Sequence, residues 1–292
     1  MRNESGEECG WIMSGLLANW TDKIGIIGCG HLGQAVALAL VHAGLPKERL
    51  LLSHSGSEGT RQRLEHLGLS DCITENYDIL RAAQIVFLTI RPMDLPTLRD
   101  MALQSGTTVV SCIAGVPLTL LRNTLSGNVH RMMFSGPDTI LSGTGVSALY
   151  PEHSAICALL TAIPVQVVPM RTEEDLDVFT AGVCLPAAIV QMGKTEVQAE
   201  AIERIAKEYP LLAELYAWAC QAAPDLPSGE ERAAYIRKMV TRGGVTEAIL
   251  AALENGAPLD VALRSGIART KEIAMEQAHR VAETIKSKNR EG

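Results

Sequence analysis

The chain has few aromatic residues, no excess of positive charge and no long apolar run, and each absence excludes a class of protein. Aromatic residues make up 4% of its 292 residues, and 26 Lys and Arg residues stand against 33 Asp and Glu residues, for a formal net charge of −7. This acidic balance gives no electrostatic reason to expect nucleic acid or an anionic membrane as a partner. No run approaches the roughly 18 to 20 uninterrupted apolar residues of a membrane helix. We therefore expect no membrane association and take a small molecule as the partner.

The cysteines also lack a pattern. There are seven, an odd number, and no two are close enough in sequence to suggest a redox or zinc pair. We expect neither a disulfide framework nor a metal site, and a reducing cytoplasm as the location. The first residues carry Glu4, Glu7 and Glu8 where a secretory signal would carry positive charge, so residues 1–20 are interpreted as an N-terminal extension.

What the sequence does contain is an alternation of short apolar runs with helical patterns. Strands are predicted at 23–28, 49–53, 85–90 and 107–113, and helices at 31–42, 59–67, 76–83 and 96–104. This alternation predicts an α/β, doubly wound parallel sheet over residues 21–170. After Pro169 only helical patterns remain, among them acids following Thr172, an S-x-x-E capping box from Ser228 and a last helix beginning near Pro258. Residues 171–292 are therefore predicted to form an all-helical domain.

A G-x-G-x-x-G motif lies between the first predicted strand and helix. Gly28 would permit the tight turn, Gly30 would let a pyrophosphate approach the backbone, and Gly33 would let helix and strand pack closely. In this strand-turn-helix context the motif predicts a Rossmann-type dinucleotide site with phosphates at the helix N-terminus. The alternative is a glycine turn that binds no nucleotide. Cys29, inside the motif, is interpreted as a small filler residue rather than a nucleophile, and His31 is not assigned a proton-transfer role.

The end of the second predicted strand indicates which cofactor is bound. An acidic residue there would bind the ribose 2′-OH of NAD, but the chain has Ser53, His54 and Ser55, with Arg61 placed to lie within reach. These groups favour the 2′-phosphate of NADP, so we expect NADP(H) rather than NAD(H). The alternative is a polar loop that only caps a helix.

Four further segments resemble pyrroline-5-carboxylate reductase: 83–92, 110–118, 240–248 and 253–256. The resemblance covers roughly residues 22–275. It implies a Rossmann-type domain followed by a helical domain that pairs two subunits, and NADPH-dependent reduction of the C=N bond of a small cyclic imine in a proline-forming type of reaction. Together with the glycine motif, it implies cofactor contacts at Gly28, Gly30, His31, Leu32, Gly33, Ser53, His54, Ser55, Thr89, Ile90, Arg91, Pro92, Ala114 and Gly115.

The departures from that family fall where substrate is expected to bind. Its Pro-Asn pair is missing from 131–137, and both serines of its Ser-Gly-Ser-Gly-Pro-Ala loop are missing from 181–187. The cofactor features persist while the substrate features differ. One hypothesis is a reductase with an altered substrate. The alternative is an NADP-binding regulatory or interaction protein that has lost reductase activity.

A third interpretation is a relative of the β-hydroxyacid dehydrogenases. That class requires a catalytic lysine on the long helix after residue 181, where Lys194 is present. The expected downstream asparagine partner is missing, so this interpretation is placed last.

The resemblance also assigns the chemistry of the second half. Thr246 matches the family threonine whose hydroxyl lies near the ring nitrogen, and it is the candidate catalytic residue; the alternative is that it caps a helix over 247–253. Arg242, Gly243 and Gly244 are the candidate substrate-binding residues. The guanidinium of Arg242 is placed to replace the missing serine contacts to a carboxylate, and the alternative is an exposed arginine at a helix start.

The last predicted helix carries a one-sided stripe of small and apolar residues at steps of three and four: Leu263, Ile267, Thr270, Ala274, Ala278, Val281 and Ile285. Such a stripe requires a partner surface. With the resemblance, it implies a homodimer or larger homo-oligomer. The alternative is that the helix packs only within its own subunit.

Overall fold

A computed structural model describes residues 15–99, 101–192 and 196–291. The chain divides into two compact units. The first contains residues 1–171 together with 277–292, and the second contains residues 172–276. The division after Arg171 lies one residue from the predicted domain boundary, but the end of the last helix clusters with the first unit rather than with the second.

The first unit alternates strands and helices. Its strands are β1 (Ile24–Ile27), β2 (Leu50–Ser53), β3 (Ile85–Leu88), β4 (Thr108–Ser111), β5 (Asn128–Phe134), β6 (Gly145–Tyr150) and β7 (Val165–Pro169). Its helices are α1 (His31–His42), α2 (Glu58–His66), α3 (Asn76–Ala82), α4 (Leu118–Thr124), α5 (Pro137–Ser142) and α6 (Ser154–Thr161).

The seven strands form one sheet in the order β2-β1-β3-β4-β5-β6-β7. All neighbouring pairs are parallel except β5 with β6. The expected doubly wound sheet is therefore confirmed, with one antiparallel pair. The chain leaves β1 for β2 on one side and returns to β3 on the other side, which places a crevice at the carboxyl ends of β1 and β3.

The central strands are buried on both faces. Ile24 and Ile26 of β1 lie in one hydrophobic cluster and Ile27 lies in a second, because successive side chains of a strand point to opposite faces of the sheet. Phe87 and Leu88 of β3 divide between the same two clusters. This two-sided burial explains why these strands appear in the sequence as continuous apolar runs.

The predicted helix at 96–104 is wrong. A 3₁₀ helix spans Pro92–Thr97 instead, and residues 101–104 are not helical. At the other end of the predicted helix, the Gln104 N–H group donates to the carbonyl of Leu80 at 2.9 Å instead of to a helical turn. β5, β6 and β7 were not predicted.

Part of the predicted N-terminal extension packs on the first unit. Leu17 is 3% exposed within the first hydrophobic cluster, and its N–H group donates to the carbonyl of Ala43 at 3.0 Å. Residues 1–14 lie outside the described residues.

The second unit consists of helices and turns in its described residues. The helices are α7 (Asp175–Gly182), α8 (Leu185–Met192), α9 (Glu196–Ala206), α10 (Leu211–Ala222), α11 (Gly229–Met239) and α12 (Val245–Glu254), with the first part of α13 (Leu259–Glu291). The expected helical second half is confirmed. The capping box of α11 is present in full, with the Ser228 hydroxyl accepting from the Glu231 N–H group and the Glu231 carboxylate accepting from the Ser228 N–H group.

The stripe on α13 is buried at four of its seven positions. Leu263, Ile267 and Thr270 are buried in the part that belongs to the second unit, and Val281 is buried in the part that belongs to the first. The side chain of Ile285 lies outside the described residues. These four positions therefore have cover within one chain, and the homodimer stays a prediction.

One segment of the described residues, Asp175–Met192, is long and apolar enough to cross a membrane by length and composition alone. Its mean hydropathy is 1.3, and 67% of it is buried inside the protein. It comprises α7 and α8, which are separate helices, and such burial is typical of a core segment.

Candidate functional site

Each of the three glycines in the turn between β1 and α1 has different steric surroundings. Gly28 has a φ angle of +92°, and a Cβ atom there would lie 2.9 Å from the backbone nitrogen of Ile90. A Cβ atom at Gly33 would lie 2.7 Å from Oγ1 of Thr89. Gly30 has a φ angle of −75°, and a Cβ atom there would meet nothing nearer than the Gly28 carbonyl oxygen at 3.9 Å. The fold requires glycine at 28 and 33, whereas at 30 glycine leaves open space in front of the backbone.

Hydrogen bonds hold this turn in place. The N–H groups of Gly28 and Cys29 both donate to the carbonyl of Ser53, at 3.2 and 2.7 Å, which ties the turn to the end of β2. The carbonyls of the turn are also used, since Gln34 Nε2 donates to Cys29 at 3.0 Å and Thr89 Oγ1 donates to Gly28 at 2.9 Å. The turn is therefore fixed without a ligand.

The start of α1 leaves donors available. Gly30 is the N-cap residue and supplies no side-chain cap. The first N–H groups of a helix have no intrahelical partner, and among the described residues no other backbone carbonyl accepts from residues 31–33. Unpaired N–H groups together with the positive end of the helix dipole suit an anionic pyrophosphate.

A pocket of about 460 Å³ lies at the carboxyl ends of β1, β2 and β3. The predicted cofactor residues that line it are Gly28, Gly30, Ser53, His54, Ser55, Thr89, Ile90 and Arg91. The other predicted residues, His31, Leu32, Gly33, Pro92, Ala114 and Gly115, do not line it. Six lining residues were not singled out from the sequence as cofactor residues: Ile27, Thr60, Asn76, Asp94, Thr97 and Leu98. The lining also includes Cys29, which was interpreted as a filler.

Asn76 is the most informative of the missed residues. Ser53 is 4% exposed, and its hydroxyl donates to Asn76 Oδ1 at 2.5 Å. This bond fixes the amide so that its Nδ2 group remains a donor for a ligand. No local pattern marks Asn76, because a bridge between Leu52 and Ile73 brings it alongside the end of β2.

The side chains at the end of β2 differ from the prediction at one residue. Arg61 does not line the pocket; its guanidinium forms two hydrogen bonds to the Glu58 carboxylate, at 2.7 and 3.0 Å. His54 lines the pocket and accepts a hydrogen bond from the Gly56 N–H group at its Nδ1 atom, at 3.1 Å. Arg61 therefore does not supply a positive charge to the pocket, because it forms an ion pair with Glu58 on α2.

The end of the pocket beside β3 contains two oppositely charged side chains, Arg91 and Asp94. The Arg91 Nε atom lies 3.1 Å from Asp94 Oδ2, and both side chains are solvent-accessible.

Cys29 is fully buried, and burial, followed by the neighbouring Cys72, raises the pKa of its thiol to about 12. A thiol that stays protonated at neutral pH is a poor nucleophile, in agreement with the interpretation of Cys29 as a filler.

Thr246 lies in the second unit, in the first turn of α12. The helix begins at Val245 with Gly244 as its N-cap, so the alternative in which Thr246 caps the helix is wrong. Its hydroxyl instead donates to Cys184 Sγ at 3.2 Å. Burial raises the pKa of the Cys184 thiol to about 11. The group that accepts the hydrogen bond from the Thr246 hydroxyl is therefore a neutral thiol.

The loop before α12 is held by two charged side chains that sequence reasoning missed. The Gly243 N–H group donates to Glu247 Oε2 at 2.6 Å, and Arg269 Nε donates to the Gly243 carbonyl at 2.8 Å. Arg242 in the same loop is exposed. Lys194, the residue of the third interpretation, lies outside the described residues. Among the described residues, no group of three or more His, Cys, Asp or Glu side chains is placed to hold a metal ion.

The region of the chain that contains this site is similar to known proteins. The family model described as "NADP oxidoreductase coenzyme F420-dependent" matches residues 23–115, the region that contains the glycine turn and the pocket. A pyrroline-5-carboxylate reductase from Treponema pallidum is 25% identical over 160 residues, which is 50% of this chain and 60% of that protein. The resemblance to the pyrroline-5-carboxylate reductases is confirmed, at low identity. The family model supports nicotinamide-nucleotide binding by residues 23–115.

Two further matches show how much of each chain is similar. A mouse protein named "NADP-dependent oxidoreductase domain-containing protein 1" is 32% identical over 107 residues, covering 35% of this chain and 29% of that protein. The aligned regions thus span less than two thirds of these curated relatives. The solved structure of a Plasmodium falciparum pyrroline carboxylate reductase with NADP bound has a TM-score of 0.54 and 18% identity, covering 87% of this chain and 98% of that chain. At this identity the structural match shows the fold.

Proposed function

We propose that this protein binds NADP(H) in the pocket beside the glycine turn and reduces the C=N bond of a small cyclic imine resembling pyrroline-5-carboxylate. The observation that carries the proposal is the open space at Gly30 in front of the unpaired N–H groups of α1. The family model over residues 23–115 and the relatives named above support it.

The residues of the first unit fit the cofactor. The N–H groups at the start of α1 would hold the pyrophosphate, and His54, Ser55 and Asn76 would meet the ribose and its 2′-phosphate. The bound cofactor would supply the hydride that reduces the imine carbon. The carboxylate of Asp94 would be kept from repelling the cofactor by its pairing with Arg91.

In the second unit, Thr246 would supply a hydroxyl for the substrate nitrogen. Its position is set by the hydrogen bond to Cys184. Replacement of Thr246 by alanine is expected to lower kcat by about 10²-fold, the usual scale of assistance by one positioned acid or base, with little effect on the Kd of NADPH. Thr246→Ser, which keeps the hydroxyl, is the matched control. Equal turnover by the alanine variant on the true substrate would contradict this role.

The reaction is tested by following NADPH oxidation with pyrroline-5-carboxylate and a panel of cyclic imines with and without a carboxylate. Oxidation with any of these substrates would support a reductase. Tight NADPH binding without oxidation across the panel would contradict it and favour the regulatory alternative. Homodimer formation and a cytoplasmic location remain parts of the proposal, and sedimentation of the purified protein tests the first.

A further inference from the structure

The ribose end of the pocket contains no permanent positive charge among its described lining residues. Its side chains are Ser53, His54, Ser55, Thr60 and Asn76. A site for a 2′-phosphate commonly uses an arginine.

The arginine nearest to this end in sequence does not supply that charge. Arg61 is paired with Glu58 through two hydrogen bonds and is absent from the lining. Arg63 donates to Thr60 Oγ1 at 3.1 Å and is also absent from the lining. Of the side chains that line the ribose end, only His54 can gain a positive charge near neutral pH.

His54 is held at the ribose end by a hydrogen bond to one of its ring nitrogens. Its Nδ1 atom accepts from the Gly56 N–H group at 3.1 Å. A ring that accepts at Nδ1 carries its proton on Nε2, and a second proton on Nδ1 would remove the bond to Gly56. The hydrogen bond from Gly56 therefore uses the Nδ1 lone pair that a second proton would occupy.

No other charged group in the lining compensates a protonated His54. Arg91 and Asp94 form an ion pair with each other. The Cys29 thiol is neutral because burial raises its pKa. Glu58, on the helix that follows His54, is already paired with Arg61.

We propose that the binding of NADP(H), but not of NAD(H), is coupled to proton uptake by His54. This inference rests on the proposed function. The 2′-phosphate carries about −1.5 to −2 charge at pH 7, and it would supply the negative charge that the described lining residues do not offer to His54. The preference for NADP(H) over NAD(H) then increases as the pH falls from 8 towards 6, the range above the second pKa of a phosphate.

Isothermal titration of the full chain with NADPH and with NADH tests the coupling. Between pH 6 and pH 8 we expect the Kd of NADPH to rise about 10-fold, equivalent to about 1.4 kcal/mol, and the Kd of NADH to change by less than about 2-fold. Titration in buffers of different ionisation enthalpy should give net proton uptake with NADPH at pH 7 and none with NADH.

Two variants distinguish proton uptake by His54 from the neutral contacts to the cofactor. His54→Gln keeps a side-chain donor but cannot take up a proton, so its NADPH affinity should lose the rise at low pH. Ser55→Ala, the matched control, removes a neutral donor and should weaken NADPH binding equally at every pH. Parallel pH profiles for NADPH and NADH, or an unchanged profile in His54→Gln, would overturn the inference alone. Failure to bind either nucleotide would overturn the proposed function as well.

Discussion

Alanine substitutions at Gly30 and Gly33 should separate cofactor binding from stability within one turn. A methyl group at Gly33 would lie 2.7 Å from Thr89 Oγ1 and 3.1 Å from the Gly28 carbonyl oxygen. To relieve this contact Thr89 must move, which breaks its 2.9 Å hydrogen bond to Gly28. A methyl group at Gly30 meets no atom closer than 3.9 Å. The two substitutions are chemically identical and only three residues apart.

The expected magnitudes follow from these contacts. Overpacking costs about 1–3 kcal/mol and the lost hydrogen bond about 0.5–1.5 kcal/mol, while alanine gains up to about 1 kcal/mol over glycine inside a helix. Gly33→Ala should therefore lower the free energy of unfolding by about 0.5–3.5 kcal/mol. Gly30→Ala should change it by less than about 0.5 kcal/mol, because the reduced entropy of the unfolded chain offsets a slightly poorer N-cap.

Cofactor affinity should respond in the opposite order. The methyl group of Gly30→Ala would occupy the space through which the pyrophosphate approaches the backbone, so the Kd of NADPH should rise at least about 10-fold. Urea unfolding followed by circular dichroism gives the stability, and titration calorimetry gives the Kd. A Gly30→Ala variant that binds NADPH as well as the wild type, or that is destabilised as much as Gly33→Ala, would contradict this prediction.

Three further predictions concern other parts of the chain. Ser228→Ala removes the capping box of α11 and should lower the free energy of unfolding by about 0.5–2 kcal/mol in urea titrations, whereas Ser228→Thr should retain most of it. Burial lowers the pKa of His130 below its usual 6.5, so the folded protein binds fewer protons there than the unfolded chain, and stability should fall as the pH drops below about 6.5. The variant His130→Asn keeps a donor for the Pro151 carbonyl and should flatten that part of the stability profile. Arg242→Ala should raise the KM for an acidic imine about 10-fold at saturating NADPH, and an unchanged KM would leave Arg242 without a substrate role.

The His130 measurement has its own internal comparison. Burial also lowers the pKa of His42, which adds a pH dependence of the same sign. The difference between the wild type and His130→Asn isolates the contribution of His130. Identical slopes for the two proteins between pH 5 and pH 7 would contradict the assignment.

The glycine turn and the elements around it could be predicted from local sequence. The predicted helix 31–42 has the observed bounds of α1, and the predicted strand 23–28 contains β1. Both depend on local features, an apolar run closed by glycine and a helical pattern closed by Gly44. Local sterics and periodicity act over a few residues, so they can be recognised without knowing the fold.

Which side chains meet at the candidate sites could not be predicted in this way, because it depends on tertiary contacts. Asn76 reaches Ser53 across 23 residues, and Thr246 reaches Cys184 across 62. Each contact depends on the register of strands or the packing of helices that are distant in the chain. Spacing along a sequence carries no information on such distances until the sheet and the bundle have formed.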